Sequence, residues 1–404
     1  MVRFEEAIDI VEKASIRLGD EIIETLSSLG RILAEDIVSD MDMPPFDKSA
    51  MDGYACRFGD LINELEVIEI IPAGYIPQKK ISKNLCSKIM TGAMIPEGAD
   101  CVIMIEHITE VGINKIRFTK ELKYKSITQI EDRDRRILNI CYVGEDIRRD
   151  SVILKKGRII KAQHIAMMAA VGYTKLKVYK QPRVAVVPTG NEIVEPFEKP
   201  ALSEVRNSNG YQLIAQLLNM GIHASYYGIA RDTETETIHL IENALKVNDV
   251  LILTGGVSKG DFDLVPDILK KLNFNLLFEE ISVQPGKPTV FGIRDYKYCF
   301  GLPGNPVSCF VQFELLVKSL LNKMMGFECN SFIILFPLAK DYERKNDNRT
   351  AFIPVNINKK GEVELVDYHG SAHINGFNLA WGLMEIPIGI KKIQKGEKVN
   401  VRQI

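Results

Sequence analysis

The stretch DVLILTGGVSKGDFD, Asp249 to Asp263, decides the fold. Asp249 to Leu253 reads as an apolar strand, and it runs directly into Thr254-Gly255-Gly256. The bare backbone amides of a Gly-Gly turn can approach an anion closely. Ser258 adds a hydroxyl, and Asp261 and Asp263 open a helix predicted from Asp261 to Leu272. Carboxylates in that place can hold Mg²⁺ through oxygen, together with substrate phosphates. Asp261 also serves as an ordinary helix N-cap, which does not account for the glycines before it. No G-x-x-x-x-G-K-[ST] occurs, so this is not a Walker loop.

Working outward, the same grammar repeats. Arg183 to Val187 is a buried strand entering Pro188-Thr189-Gly190, with Glu192 just beyond. Asn207 or Ser208 caps a helix through Met220. A strand is predicted over His223 to Ala230, with Asp232 following it, and a helix from Thr233 to Lys246. Tyr298 to Leu302 is another strand, leading through GLPGNPVS into a helix from Pro306 to about Lys323, with proline in its first turn. Strands alternating with helices give a parallel sheet covered on both faces, a three-layer α/β domain. Ligands of such sheets bind outside the carboxyl ends of the strands. Glu192 is thus placed to meet a ligand or metal, or else merely starts a helical turn. Asn305 and Gly304 suit a turn, and the amides beyond Pro306 suit a phosphate or a pterin edge. Between these blocks, VQPGKPTVFG (Val283 to Gly292) sets Lys287 between two prolines. A stiff loop presents that lysine to an oxyanion with little freedom to lose, although a lone lysine is ordinarily just solvated.

The flanks have other textures. Phe4 to about Asp36 has helical periodicity, with Gly30 a break near a second helix. Pro44-Pro45 then stiffens the approach to DKSAMDGYA, where Ser49, Asp52 and Gly53 crowd a tight turn; Asp52 alone would read as a turn residue capping backbone amides. Met51 to about Arg117 is a small all-β unit of short runs between turns, such as Leu65 to Ile71, Cys101 to Ile105 and Lys115 to Thr119. Glu131 to Arg136 is a charged run, most simply a solvated loop. Gln163 to Val171 is a helix, and Phe332 to Ile404 is rich in strands, with Arg349 at its entry and a polar turn at Gly370 to His373.

Bulk properties exclude several classes. The 404 residues exceed one ordinary domain, and 46% hydrophobic with 26% charged residues is a normal globular balance. A net charge of −2 gives no general pull toward nucleic acid or anionic lipid, so any anion site must be local. No segment approaches a membrane span, and the acidic, amphipathic N-terminus is unlike a signal peptide. Seven scattered cysteines, with no C-x-x-C, argue against a disulfide framework and for the cytoplasm. The six histidines do not cluster at zinc-ligand spacing, and no G-x-S-x-G nucleophile elbow occurs.

Seven blocks stand in order: PPFDKSAMDGYA from Pro44, MTGAMIPEGAD from Met90, VGEDI from Val143, PTGNEI, TGGVSKGDFD, PGKP and GLPGNPVS. Together they resemble the molybdopterin molybdenumtransferases, the MoeA and gephyrin E-domain family, over essentially the whole chain. The resemblance implies a multidomain α/β and β protein. Its parts are an elongated helical region (1–43 plus 141–180), an inserted β domain (44–140), an α/β molybdopterin-binding domain similar to the molybdopterin adenylyltransferase (181–327) and a C-terminal β domain (328–404). It implies molybdenum insertion from molybdate into adenylylated molybdopterin, with Mg²⁺ and release of AMP. It also implies a homodimer whose active cleft lies between subunits, and transient contact with the adenylyltransferase.

By position, Asp52, Asp146, Glu192, Asp232 and Asp263 match the family's acidic residues for activity, with Asp232, Asp261 and Asp263 as metal ligands. Gly255, Gly256 and Ser258 match the pterin-phosphate loop, and Thr189, Gly286, Pro303 and Asn305 complete the substrate set from the same blocks. Lys287, Arg349 and Ser371 match the molybdate pocket, with Gln284 at a position where many relatives carry lysine. Gln284 thus costs the oxyanion pocket one formal charge; Glu280 also stands where some relatives have lysine, and Asn191 replaces a frequent aspartate. Two other readings are weighed: a non-catalytic molybdopterin-binding scaffold, against which the retained acids speak, and a nucleotide pyrophosphatase, against which the N-terminal block and C-terminal domain speak.

Overall fold

Val184–Pro188 and Val250–Thr254 are buried at every position, as strands covered on both faces must be. A computed structural model describes residues 1–119, 138–257, 264–327 and 334–404, and places these two strands side by side in parallel. They sit inside a six-stranded sheet ordered Ser225–Tyr226, Val184–Pro188, Val250–Thr254, Lys297–Leu302, Pro288–Arg294, Asn275–Glu280. Alternate side chains enter opposite layers. Val184, Val186 and Ile252 pack with Leu213 and Leu217 of the helix Ser208–Asn219. Ala185, Val187, Leu251 and Leu253 pack with Ile241 and Leu245 of Glu234–Val247 and with Ile268 and Leu269 of Val265–Lys271. The three-layer α/β domain is therefore present.

Its sheet is not parallel throughout. The first four strands are parallel, and Pro288–Arg294 runs antiparallel to both of its neighbours, Lys297–Leu302 and Asn275–Glu280. The reason is local. Asp295 and Tyr296 both take positive φ, 48° and 62°, between the paired residues Arg294 and Lys297. Two such residues make the tight turn that returns a strand beside itself.

Two other expectations change. The N-terminal helix is Phe4–Ala14 only. Asp20–Glu24 is a strand, antiparallel to Lys175–Tyr179, followed by a 3₁₀ turn at Thr25–Ser28. Its exposure alternates along the strand, which is the two-residue period and not the helical one. The strand expected over His223 to Ala230 shrinks to Ser225–Tyr226, with Ala230 bridging Thr189 beyond it.

The chain divides into two compact units, residues 1–35, 156–162 and 175–404, and residues 36–155 and 163–174. The first unit holds the α/β sheet and a second sheet ordered Val283–Gln284, Thr350–Ile357, Gly382–Ile386, Lys398–Gln403, Ile334–Pro337. Val283–Gln284 leaves the α/β part to pair in parallel with Thr350–Ile357. The N-terminal helix belongs here too: Phe4 meets Phe352 edge-on, centroids 4.9 Å apart. Val2 donates to Glu280 O at 3.0 Å and accepts from Ser282 N–H at 2.7 Å.

The second unit contains a small β-sheet within the stretch read as all-β from sequence. Its sheet runs Cys101–Met104, Gly53–Cys56, Leu85–Ile89, Glu64–Ile71, Lys115–Phe118, Ile108–Gly112. A Cβ on Gly53 would stand 1.8 Å from the carbonyl oxygen of Ile103, so only glycine lets these strands close. The run Glu131 to Arg136 lies outside the described residues. Among the described residues no helix is long and apolar enough to cross a membrane, and the six described cysteines are free thiols.

Candidate functional site

At the carboxyl ends of the parallel strands, three loops enclose a cleft of about 570 Å³. Pro188, Thr189 and Glu192 come from the first loop, Thr254, Gly256 and Val257 from the second, Pro303 to Pro306 from the third. Backbone bonds lace the loops together: Thr189 N–H donates to Thr254 O at 2.8 Å, Gly255 N–H to Leu302 O at 3.1 Å and Gly190 N–H to Ala230 O at 3.1 Å. Gly255 has φ +99°, and a Cβ there would lie 2.4 Å from the Thr189 carbonyl oxygen. Of the substrate set, Thr189, Gly256, Pro303 and Asn305 thus share one cleft, with Gly255 packed beneath Thr189. Gly286 is buried and does not line this cleft; its carbonyl accepts from Thr289 Oγ1 at 2.8 Å. Ser258, Asp261 and Asp263 lie outside the described residues.

The donors left over define what the cleft can bind. The Gly255 amide is spent on Leu302, but among the described residues Gly256 N–H has no partner. Val307 N–H, expected to serve an anion at the helix start, instead donates to Ser371 O at 3.0 Å. Thr189 Oγ1 and Asn209 Oδ1 are buried without a hydrogen-bond partner among the described residues. A buried polar atom without a partner is costly, and at a ligand cleft it marks a place for the ligand's own polar edge.

The acids are arranged differently. The exposed Glu192 lines the cleft, and its carboxylate makes no hydrogen bond or ion pair among the described residues. Asp232 flanks the first loop. Its carboxylate accepts from Asn191 N–H at 3.0 Å, and its own N–H donates to Asn191 Oδ1 at 3.1 Å. Arg231 secures the same loop through Asn191 O and Ile193 O, both at 3.1 Å. Asn191 is therefore a clamp for Asp232. These are hard oxygen donors, the chemistry that suits Mg²⁺ shared with phosphates. Among the described residues no group of three or more His, Cys, Asp or Glu is gathered at one point.

The four residues matched to molybdate each make a contact of their own. Ser371 Oγ accepts from Asn305 Nδ2 at 3.0 Å, at the mouth of the first cleft. Lys287 pairs with Glu280 at 3.4 Å. Arg349 Nη1 reaches Val283 O at 3.4 Å. Gln284 lines a second cavity of about 380 Å³ with Arg344, Phe352 and Tyr368.

Asp52 and Asp146 belong to the second unit. Thr91 donates to Asp52 Oδ1 through its N–H and its hydroxyl, both at 2.7 Å. These bonds, the N–H first, hold the Asp52 carboxyl below the usual carboxylate range. Asp146 is exposed in a turn fixed by its N–H to Met43 O at 3.0 Å.

Sequence reasoning missed three cleft residues. Asn209 Nδ2 donates to Thr254 Oγ1 at 2.9 Å and to Gly304 O at 2.8 Å, tying two strand-end loops together. Asn207 caps the helix, accepting from Gly210 N–H at 2.9 Å, and Arg206 adds an exposed cation to the cleft wall. The signal was the run Arg206-Asn207-Ser208-Asn209 at a helix start, read only for its cap.

Comparison with known proteins covers nearly all of the chain. Residues 2–172 match the MoeA N-terminal region (domain I and II), 185–323 a "probable molybdopterin binding domain", and 337–404 the MoeA C-terminal region (domain IV). A molybdopterin molybdenumtransferase of Staphylococcus epidermidis is 35% identical over 99% of this chain and 95% of its own length. One of Staphylococcus aureus is 35% identical over 93% and 88%. A molybdopterin biosynthesis MoeA protein from Pyrococcus horikoshii superposes with TM-score 0.82 at 29% identity over the full length of both chains.

Proposed function

The chain belongs to the MoeA family of molybdopterin molybdenumtransferases, and from that premise we propose that it inserts molybdenum from molybdate into adenylylated molybdopterin and releases AMP. It is a transferase of molybdenum-cofactor biosynthesis. The observation that carries the finer reading is the cleft itself: its walls are the strand-end loops PTGNEI, TGGV and LPGNP, converging within about 570 Å³.

In this reading the adenylylated pterin lies across the cleft. Gly256 N–H donates to a phosphate oxygen, and Arg206 adds charge at the rim. Thr189 Oγ1 and Asn209 Oδ1 face the hydrogen-bonding edge of the pterin. Asp232, with Asp261 and Asp263, would hold Mg²⁺, and Glu192 lines the cleft as a further acid. When bound, Mg²⁺ neutralises the phosphates and polarises the bond being broken. Lys287, Arg349, Ser371 and Gln284 hold molybdate beside the dithiolene sulfurs, a positioning role. Asp52 and Asp146 are assigned to the active cleft of a homodimer in which both subunits contribute. The substrate arrives by transient contact with the molybdopterin adenylyltransferase, in the cytoplasm, without nucleic acid or membrane.

The test is AMP release from adenylylated molybdopterin by purified protein with Mg²⁺ and molybdate. Release that needs molybdate, and that drops about 10- to 100-fold in Asp232→Asn, supports the reading. Tight pterin binding without AMP would sink it.

A further inference from the structure

Arg344 is a buried cation, 8% exposed, and among the described residues its hydrogen bonds all go to main-chain carbonyls, with the Asp347 carboxylate acting on it only through its charge. Nε donates to Ile390 O at 2.7 Å, Nη2 to Pro387 O at 2.6 Å and Nη1 to Arg349 O at 2.8 Å. Burial pushes its guanidinium below the ordinary value. Removing a guanidinium from water is expensive, and only a full set of well-aimed acceptors offsets it. Here the acceptors are main-chain carbonyls of two separate segments. Pro387 and Ile390 follow the strand Gly382–Ile386, and Arg349 immediately precedes Thr350–Ile357.

The grip on Arg349 has a direction. From the other side, Thr350 N–H donates to Ser282 O at 3.0 Å, and Ser282 Oγ to Asn348 O at 3.3 Å. The parallel pairing then sets Val283 opposite Thr350 and Gln284 opposite Ala351. Held between these two sets of bonds, Arg349 sends its guanidinium toward Val283 O, at the start of the strand that leads through Pro285-Gly286 to Lys287. Its other donors have no partner among the described residues, so they are available to an oxyanion.

We propose that Arg344 is a positioning residue for the oxyanion pocket: it fixes the backbone of Arg349 so that the Arg349 guanidinium reaches the Gln284–Lys287 loop, and it does not itself touch the oxyanion. This rests on the reading of Arg349 as a molybdate ligand. Only a planar fork spans three carbonyls from two segments; the compact ammonium of lysine does not.

The experiment measures the KM for molybdate and kcat at saturating molybdate in the AMP-release assay, for Arg344→Lys, Arg349→Ala and the double variant. The expected result is a molybdate KM raised about tenfold in Arg344→Lys, with kcat nearly unchanged and affinity for adenylylated molybdopterin unchanged. In the Arg349→Ala background, Arg344→Lys should add nothing further, because both changes act through one side chain. Ser282→Ala, a milder cut in the same loop, should raise the molybdate KM in the same direction and keeps the proposal testable if Arg344→Lys does not fold. Fully additive effects on KM, or a fall in kcat with KM unmoved, overturn the proposal. If Arg349→Ala raises the KM and neither Arg344→Lys nor Ser282→Ala does, the proposal fails and the oxyanion reading stands. If Arg349→Ala leaves the KM unmoved, both fail together.

Discussion

Asn209 donates to Thr254 and Gly304 across two loops of the cleft, while its own carbonyl is left for a ligand. Asn209→Ala should lower stability by about 1–3 kcal/mol, because the buried Thr254 hydroxyl oxygen loses its donor. It should also weaken the binding of adenylylated molybdopterin, read by calorimetry; unchanged affinity would remove Asn209 from the site. Asp52 gives a prediction in pH. Its folded pKa is depressed by Thr91, so its ionised form is favoured above the ordinary carboxylate range and is lost only as pH falls through the depressed value. Thr91→Val removes the hydroxyl donor and keeps the N–H, so the carboxyl-carbon resonance of Asp52 should titrate at higher pH. A midpoint that stays put would mean the N–H alone sets the shift. At this scale the sequence was readable where a residue sits in a rigid block, as with Glu192 or Gly256. Asn209 and Arg344 act through partners remote along the chain or through main-chain carbonyls, and neither relation leaves a local pattern.

Among elements, the parallel strands were legible because each is an apolar run ending in a glycine turn. The hairpin at Asp295 and Tyr296 was not, since tyrosine is a poor advertisement for positive φ. The strand Asp20–Glu24 was hidden by the amphipathic helix before it: five residues are too few to separate a two-residue period from a helical one. The turn at Gly255 carries the sharpest prediction for an element. Gly255→Ala must place a Cβ 2.4 Å from the Thr189 carbonyl with φ at +99°, so one of the two loops has to move. The sheet should persist by circular dichroism, destabilised by about 1–2 kcal/mol or more, while pterin binding is lost. Binding at wild-type strength would show that the loops do not need this register.

For the whole molecule, the order of textures along the chain was readable, and so was the family they resemble. The division into two compact units was not, because residues 156–162 and 163–174 are neighbours in sequence that go to different units. Phe4→Ala deletes a ring packed on Phe352 and under Arg402. It should cost about 3–5 kcal/mol, and calorimetry should show the loss in the transition of the unit that holds it, with the 36–155 unit melting as before. A uniform shift of both transitions would mean the units unfold as one. The same contact orders events on the ribosome. Glu280, Ser282 and Phe352, which Phe4 and Val2 require, emerge some hundreds of residues after them. Residues 36–174 contain a complete sheet and can fold while synthesis continues. The leading helix must wait with its apolar stripe uncovered, which makes it the natural place for a chaperone to hold the nascent chain.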